Sequence, residues 1–544
     1  MNVFLLFADR EWTTARPYFD WMSISKDLGL NAVFKAAGMD SIFRGNRAVY
    51  SEKEDPYLGS TVKKVMRTPL QNAEEIAYRQ EIVKDCFRKQ AFVADLYQLS
   101  GKLLEDWDKL GRKNSTAGES DTKAKLVTDL KVLKLLYDGI SEVYSLFLQN
   151  YEGLNSRGFL NLYERLQAEL TEDMVANMDI LLKSLSFYAD ISESGPAREY
   201  YVSRLPRIQL DCGLKDGLKI GDLKLEDLTT VVKPFNNPNG LRAKLHGTIT
   251  SLAPGRISLY KDQAMQDDAA ELEYEVVNYV YSYCNSMVVS YGQFFDQLHF
   301  QLAFYVGAIN IRAQMQRFKI DFCFPQPGKK GGLQFEDLRE MVMTMDKEGK
   351  TIGNTASLDG KQLVVITGAN QGGKSTFLRS IGIAQVMFQC GLIVSAKSYS
   401  AGIHTSLFTH FTRREDSAMN SGRLDEELRR IDQIINNLGE DSLILLNESF
   451  ATTTEKEGSS IAYDIIKALK EEGVRILSVT HLLSFAQRMY EETKNDKSVC
   501  FLCAEHLSDG KRTFKMIPHA PEMTSFGLEL YDEILGTAGE PETK

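Results

Sequence analysis

Residues Gly368–Ser375 read GANQGGKS and fit the phosphate-binding loop pattern G-x-x-x-x-G-K-S/T. An apolar, β-branched run, Leu363–Ile366, leads into the loop, and a helix-compatible stretch, Ser375–Gln389, follows it. Glycines lack a Cβ atom and therefore let backbone N–H groups turn toward phosphates, while the helix adds the positive end of its dipole. This stretch predicts a strand, a loop and a helix that together bind a nucleoside triphosphate.

Two side chains of this loop have expected tasks. We expect Lys374 to reach the β- and γ-phosphates, and we expect the Ser375 hydroxyl to bind Mg²⁺. A site of this kind also needs carboxylates at the end of a neighbouring apolar strand, one for the metal and one for the attacking water.

The strand predicted at Leu443–Leu446 ends in Asn447 and Glu448, which makes Glu448 the candidate general base. Asn447 stands where a metal-associated Asp is expected. A neutral amide can hydrogen-bond a metal-bound water but adds no charge to hold the cation. His481 follows another predicted strand, so it would face the same sheet edge and could sense the γ-phosphate.

The composition is that of a soluble protein of several domains. The chain has 544 residues, of which 43% are hydrophobic and 25% charged, and it contains no apolar run of the roughly 18 residues that span a bilayer. No basic segment with a cleavage site begins it, so we expect a cytoplasmic protein without membrane contact. The net charge of −10 argues against nucleic-acid binding over the whole surface, and any such contact must be local.

The composition and the hydrophobic pattern of the chain change along its length. The first 200 residues are rich in charged helical stretches, and residues 201–262 contain glycines, prolines and alternating polarity, which predict a β-rich insertion. The insertion holds ten Lys or Arg against six Asp or Glu, either as a solvated hairpin surface or as a tip that contacts phosphates. The candidate phosphate contacts are Arg204, Arg207, Lys219, Lys224, Arg242 and Lys244.

The remaining chain predicts one long helical stretch and one α/β domain. Ala264–Arg317 would extend about 80 Å as a continuous helix, but Gly292 and Gly307 predict a break or a bend. From about Asp321 onward, apolar runs alternate with helical segments, as in a parallel α/β sheet. One of these helices is predicted from Leu424 to Leu438, and the next from Ser459 to Glu471.

Several of these residues resemble motifs of the MutS family of DNA mismatch-repair ATPases, an ABC-like branch of the P-loop proteins. Ile366–Thr376 is similar to that family's phosphate loop, with Asn370 as its distinctive asparagine. Further similar motifs are Phe411–Arg413 with Asp416, Ser421–Arg423, Thr480–His481 and Ser525–Gly527. The resemblance implies nucleotide contacts from Gly368, Asn370, Gly372, Gly373, Lys374, Ser375, Thr376, Ser421 and Gly422.

The resemblance also implies a domain division and a dimer. The expected fold is an ABC-like α/β P-loop ATPase domain, C-terminal to a long all-α core and lever region with a small β-rich insertion. The expected segments are a short N-terminal segment (1–60), a helical core (61–200), a clamp (201–263), returning lever helices (264–318) and the ATPase domain (319–539). In relatives the element at Ser421–Gly422 reaches the partner's nucleotide, which implies a homodimer with composite ATP sites.

The chain departs from the family pattern in ways that bear on function. It contains no Phe-x-Glu, so the aromatic wedge with which mismatch sensors probe a base step is missing, and residues 1–60 leave no room for a full mismatch-recognition domain. Ser449–Thr454 replaces the family's glycine-rich loop after Glu448, and the chain ends shortly after Leu535, where relatives add dimerising helices.

These observations predict an ATP- and Mg²⁺-dependent ATPase that controls a clamp on duplex or branched DNA and recognises shape rather than mismatches. Two alternatives stay open at this point. One is an ABC-like ATPase that acts on ribosomes or structured RNA. The other follows from Asn447 and is a nucleotide-gated switch that hydrolyses ATP slowly.

Overall fold

The structure, a computed structural model, describes most of the chain. The described residues are 2–11, 18–39, 43–44, 47–48, 55–114, 122–172, 175–176, 207–215, 219–229, 263–412, 422–506 and 512–521. They form two compact units. The helical unit comprises Met1–Val3, Gln98–Tyr151 and Asn161–His299, and the sheet unit comprises Phe4–Tyr97, Glu152–Leu160 and Phe300–Lys544.

The described elements before residue 263 are mostly helices. They are α1 (Trp21–Asp27), α2 (Leu30–Gly38), α3 (Pro56–Met66), α4 (Ala73–Arg88), α5 (Gln90–Asn114), α6 (Thr122–Asn150) and α7 (Arg157–Glu169). Two antiparallel strand pairs accompany them: β1 (Phe43–Arg44) with β2 (Arg47–Ala48), and β3 (Arg207–Lys215) with β4 (Lys219–Thr229).

The β3–β4 pair is the described part of the predicted β-rich insertion. Three of the six candidate DNA contacts stand on it, namely Arg207 on β3 and Lys219 and Lys224 on β4. Arg204, Arg242 and Lys244 lie outside the described residues.

The later elements begin with a long helix and continue as alternating strands and helices. The helices are α8 (Gln263–Arg317), α9 (Met341–Asp346), α10 (Lys374–Phe388), α11 (Arg423–Ile435), α12 (Glu455–Glu471) and α13 (Leu483–Thr493). The strands are β5 (Gln326–Pro327), β6 (Leu333–Leu338), β7 (Asn354–Ser357), β8 (Leu363–Thr367), β9 (Ser398–Ala401), β10 (Ser406–Phe411), β11 (Ser442–Asn447), β12 (Arg475–Val479), β13 (Val499–His506) and β14 (Arg512–Pro518).

The long helix α8 is continuous over 55 residues, so of the predicted break or bend at Gly292 and Gly307 the break is wrong and the bend stays a prediction. Both glycines instead allow close packing. A Cβ atom on Gly292 would lie 2.2 Å from the Trp107 ring, and one on Gly307 would lie 2.4 Å from Val62 Cγ2. The packing that these positions permit offsets the roughly 1 kcal/mol that a glycine costs inside a helix.

The central sheet of the sheet unit has six strands in the order β10-β11-β12-β8-β13-β14. All neighbours are parallel except β13 and β14. The register pairs Val479 with both Ile366 and Asn447, so β8, β11 and β12 end at one edge. The predicted parallel strands are confirmed, and in such sheets ligands bind at the carboxyl ends of the strands.

Two helix bounds differ from the sequence prediction by more than one residue. Helix α11 ends at Ile435 rather than Leu438, although Leu438 still packs on the core of the sheet unit beyond the helix end. Helix α12 begins at Glu455 rather than Ser459, because Thr454 caps it by accepting a hydrogen bond from the Glu457 N–H (3.4 Å). Apolar periodicity locates the buried face of a helix better than its ends.

The N-terminal helix α1 packs against the edge strand β10. The rings of Phe19 and Phe408 lie 6.0 Å apart, and the Thr409 hydroxyl donates to Asp27 (2.8 Å). An uncovered edge strand would present unpaired N–H and C=O groups, and α1 packs at this edge. In the part of the chain that the structure describes, no helix is long and apolar enough to cross a membrane.

Candidate nucleotide-binding site

The loop between β8 and α10 has the conformation that its glycines permit. Gly368 and Gly373 have φ angles of 111° and 90°, in the left-handed region that favours glycine, and Gly373 caps α10. A Cβ atom on Gly368 or Gly372 would lie 2.8 Å from atoms of Ala504 on β13. Backbone conformation and packing therefore both require glycine here.

A cavity of about 350 Å³ opens in front of this loop. It brings together most of the residues that sequence reasoning selected, from the loop itself and from the ends of β11 and β12. These are Asn370, Gly372, Gly373, Lys374, Ser375, Thr376, Glu448 and His481. The phosphate loop and the candidate general base thus share one cavity.

Lys374 lines this cavity and is buried, with 4% of its surface exposed. Its Nζ donates to the carbonyl oxygens of Gly368 and Ala369, both at 2.8 Å. Burial lowers the pKa of Lys374, and the charge of Glu448 opposes that shift. Two of the three ammonium protons are bound by the loop's own carbonyls, which leaves a donor for a ligand in the cavity.

Glu448 and His481 form a hydrogen-bonded pair. His481 Nε2 lies 2.9 Å from Glu448 Oε1. This hydrogen bond lowers the pKa of Glu448, although partial burial works in the opposite direction. The Glu448 side chain is therefore a carboxylate at neutral pH and can accept a proton from water.

The backbone of Glu448 is held in a strained conformation by two other elements. Its φ angle is 56°, which is uncommon for a residue with a side chain. Its N–H donates to the Val479 carbonyl on β12 (2.9 Å), and its carbonyl accepts from the Thr412 hydroxyl at the end of β10 (2.6 Å). Thr412 thus positions the candidate base, a role that its place in the Phe411–Arg413 motif did not indicate.

The side-chain oxygen of Asn447 bears on whether the site can hold Mg²⁺. Its side-chain Oδ1 is buried and has no hydrogen-bond partner among the described residues. Such an orphaned oxygen suits a bound water or cation. Asn447 itself is not among the residues that line the cavity, whereas its neighbour Glu448 and Ser375 are. The residues fit Mg²⁺, with Ser375 and, through water, Asn447 to hold it, where the ion would neutralise charge on phosphate oxygens.

Sequence reasoning missed the apolar wall of the cavity. Ile352 and Phe514 line it although they are 51% and 44% exposed, and Lys347 and Lys350 stand nearby. The Phe514 carbonyl accepts from Asn354 Nδ2 (3.2 Å), which holds β14 against this wall. Exposed apolar side chains in a polar cavity suit a flat aromatic base. No local pattern marks these residues, since separate segments bring them together.

Other predicted residues are not part of the cavity. Gly368 does not line the cavity, although it belongs to the phosphate loop. Gly422 caps α11 and is exposed, and it does not line the cavity either. Ser421, Asp416 and Ser525–Gly527 lie outside the described residues.

Two family models match the chain. One, MutS domain V, covers residues 364–538, and the other, the MutS2 N-terminal domain, covers residues 71–194. The first contains the phosphate loop, Glu448 and His481. The second lies in the predicted helical core.

Curated relatives agree with these matches. The chain is 28% identical over 245 residues to the DNA mismatch repair protein MutS of Leptospira interrogans, a match that covers 42% of the chain and 28% of the relative. It is 34% identical over 136 residues to MutS protein homolog 4 of Mus musculus, which covers 25% of the chain and 14% of that relative. The MutS of Clostridium kluyveri is 31% identical over 178 residues, or 32% of the chain and 20% of the relative. The matches thus span between 14% and 28% of these relatives' own lengths.

Proposed function

This chain is a MutS-like member of the DNA mismatch-repair protein family, and from that premise we propose that it binds and hydrolyses ATP and uses the nucleotide state to control its grip on DNA. One observation carries the proposal. The phosphate loop with Lys374 and the hydrogen-bonded pair Glu448–His481 line the same cavity at the carboxyl edge of the parallel sheet.

The chemistry follows from the placement of these groups. Backbone N–H groups of the phosphate loop and the Lys374 ammonium bind the phosphates. Ile352 and Phe514 contact the nucleobase of ATP. The Glu448 carboxylate orients a water for attack on the γ-phosphorus and takes its proton as the bond to the β-phosphate oxygen breaks. His481 holds the carboxylate in place through its 2.9 Å hydrogen bond.

Asn447 is the reason to expect a low rate of ATP hydrolysis. An amide in place of the usual carboxylate leaves the metal site with less negative charge, so we propose slow turnover and weak Mg²⁺ affinity. Asn447→Asp should lower the Mg²⁺ concentration for half-maximal turnover.

An ATPase assay on the full chain tests the hydrolysis. Glu448→Gln should lower kcat at least about a hundredfold while ATP still binds, because the amide cannot accept the proton. Glu471→Gln is the matched control, since Glu471 is an exposed carboxylate at the end of α12. Turnover that survives the loss of Glu448 would remove that residue from the catalytic role.

The DNA part of the proposal rests on the family membership and on the basic residues of the predicted insertion. We propose that Arg204, Arg207, Lys219, Lys224, Arg242 and Lys244 contact phosphates, and that two copies pair through composite ATP sites. Contacts of this kind are independent of base sequence and weaken steeply with salt.

A binding panel of homoduplex, mismatched duplex, fork and four-way junction, with and without ATP, tests that part. We expect binding that weakens with salt, changes with ATP and does not favour the mismatch. Replacing Arg207, Lys219 and Lys224 by Ala should weaken binding to every DNA in the panel, whereas replacing Lys361, Lys397 and Lys456 should not. Absence of DNA affinity at low salt in both nucleotide states would overturn the proposal.

The comparisons do not favour the ribosome or RNA alternative, because the relatives are named as DNA mismatch repair proteins. Co-sedimentation with ribosomes in place of DNA binding would reverse that preference.

A further inference from the structure

The loop that follows Glu448, residues 449–454, is held by buried contacts rather than by glycines. Phe450 has a φ angle of 66° and is fully buried. Its ring stacks on that of His410 from β10, with the centroids 5.9 Å apart. A residue with a side chain keeps such a backbone conformation only where its surroundings hold it there.

The main anchor of this loop is Glu427, on the second turn of α11. Its Oε2 accepts hydrogen bonds from the Phe450 N–H (3.0 Å) and from the Thr452 hydroxyl (3.2 Å). Glu427 is 6% exposed, and its Oε1 has no hydrogen-bond partner among the described residues. A carboxylate is costly to bury, so its use here as an acceptor for two loop groups requires a reason beyond packing.

A second link joins the same two elements through His410. Its Nε2 lies 3.3 Å from the Glu427 carbonyl, and its Nδ1 lies 2.7 Å from Ser449 Oγ. Because a carbonyl can only accept, Nε2 carries the proton in its contact with Glu427. The Ser449 hydroxyl also donates to the His410 carbonyl (3.0 Å), so Ser449 contacts both the ring and the backbone of His410. The imidazole therefore bridges the backbone of α11 to the residue directly after Glu448.

From these contacts we infer that Glu427 is a positioning residue that makes the orientation of Glu448 depend on the position of α11. A displacement of α11 is carried by Glu427 to Phe450 and Thr452, and by His410 to Ser449. The inference rests on the proposed role of Glu448 in hydrolysis.

Variants of the full chain separate positioning from mere packing. Glu427→Ala removes both acceptor contacts, whereas Glu427→Gln keeps one oxygen, which suffices because Oε2 alone accepts both bonds. Thr452→Val removes one donor without changing the size of the side chain. Asp432→Ala is the matched control, because Asp432 is an exposed carboxylate on the same helix.

Two measurements compare these variants with the wild type. Hydrogen–deuterium exchange without nucleotide reports the Phe450 amide, and ATP binding with turnover reports the site. In Glu427→Ala we expect exchange at Phe450 at least about tenfold faster, and kcat about tenfold lower with the ATP Kd within about twofold. Glu427→Gln should recover most of both losses, Thr452→Val should fall between the two, and Asp432→Ala should match the wild type.

The outcomes distinguish this inference from the proposed function. Unchanged exchange at Phe450 in Glu427→Ala, or an equal loss of ATP affinity and turnover, would overturn the positioning role. A wild type that binds no ATP would overturn the proposed function, while the exchange measurement still decides whether Glu427 holds the loop. If Glu427→Ala does not fold, Thr452→Val decides, and lowered kcat at unchanged ATP affinity supports the inference.

Discussion

Two loops at the same sheet edge contain left-handed backbone conformations but differ in the residues that adopt them. The phosphate loop follows β8, and the loop of residues 449–454 follows β11 after Glu448. Both need left-handed backbone conformations. The first places Gly368, Gly373 and one residue with a side chain, Gln371, in them, whereas the second has no glycine and places Glu448 and Phe450 in them.

The polar groups of the two loops have different partners. In the phosphate loop the glycines have no Cβ atom, so a ligand can approach the backbone N–H groups closely. In the second loop the Phe450 N–H and the Thr452 hydroxyl bond to Glu427 of the protein itself. The first loop is the proposed phosphate-binding loop, and the second is tied to the helix that packs beside the candidate base.

The sharpest test of this comparison is to give the second loop a glycine. Phe450→Gly should lower the free energy of unfolding by about 3–5 kcal/mol, because the loss of a buried ring outweighs the relief of about 1 kcal/mol of backbone strain. Denaturant unfolding measures it. Phe514→Gly is a matched control, since Phe514 has a similar φ angle of 58° but is 44% exposed. Equal effects of the two substitutions would show that backbone strain, not burial, dominates.

The next largest effect should come from the ligand-binding loop. Lys374→Ala should weaken ATP binding about a hundredfold, or about 2.7 kcal/mol, because it removes the buried cation that lines the cavity. Equilibrium binding measures the change, and the free energy of unfolding should change far less than in Phe450→Gly. Lys456→Ala, at an exposed position on α12, should bind ATP as the wild type does. An affinity within threefold of wild type in Lys374→Ala would contradict the assignment.

A smaller effect should appear in the pH dependence of turnover. The hydrogen bond from His481 lowers the pKa of Glu448, so His481→Ala should raise that pKa. Glu448 is then protonated at higher pH, and the acidic limb of the kcat profile should move upward, with a loss of about tenfold at the acidic end for each pKa unit. Turnover measured against pH checks this. His519→Ala, outside the cavity, should leave the acidic limb in place, and an unmoved limb in His481→Ala would separate His481 from the base.

The smallest effect should come from Gln371, the residue with a side chain that the phosphate loop holds at a φ angle of 60°. Gln371→Gly relieves that conformation but loses the bond from Arg512 Nη1 to Gln371 Oε1 (3.0 Å). We expect the free energy of unfolding to change by less than about 1 kcal/mol, because these terms oppose each other. ATP affinity should stay within about threefold. A tenfold loss of affinity would show that the Gln371 side chain binds the nucleotide.

Local patterns in the chain were sufficient for part of this picture. The alternation of strand β8, phosphate loop and helix α10, and the placement of Glu448 and His481 at strand ends, followed from apolar periodicity and glycine spacing. The same reasoning was wrong at Gly292, because the propensity of a glycine says nothing about Trp107, which packs against it. It also did not find Phe514, whose place in the cavity depends on the pairing of β14 with β13.

Local sequence was therefore sufficient to predict the phosphate loop and the kind of ligand proposed for it, since those depend on backbone freedom within a few consecutive residues. Tertiary structure decided how the base is held. Glu427 reaches Phe450 across 23 positions, and Thr412 reaches Glu448 across 36. Contacts over such separations depend on strand order and on what each helix packs against. The spacing of neighbouring residues predicts neither of these.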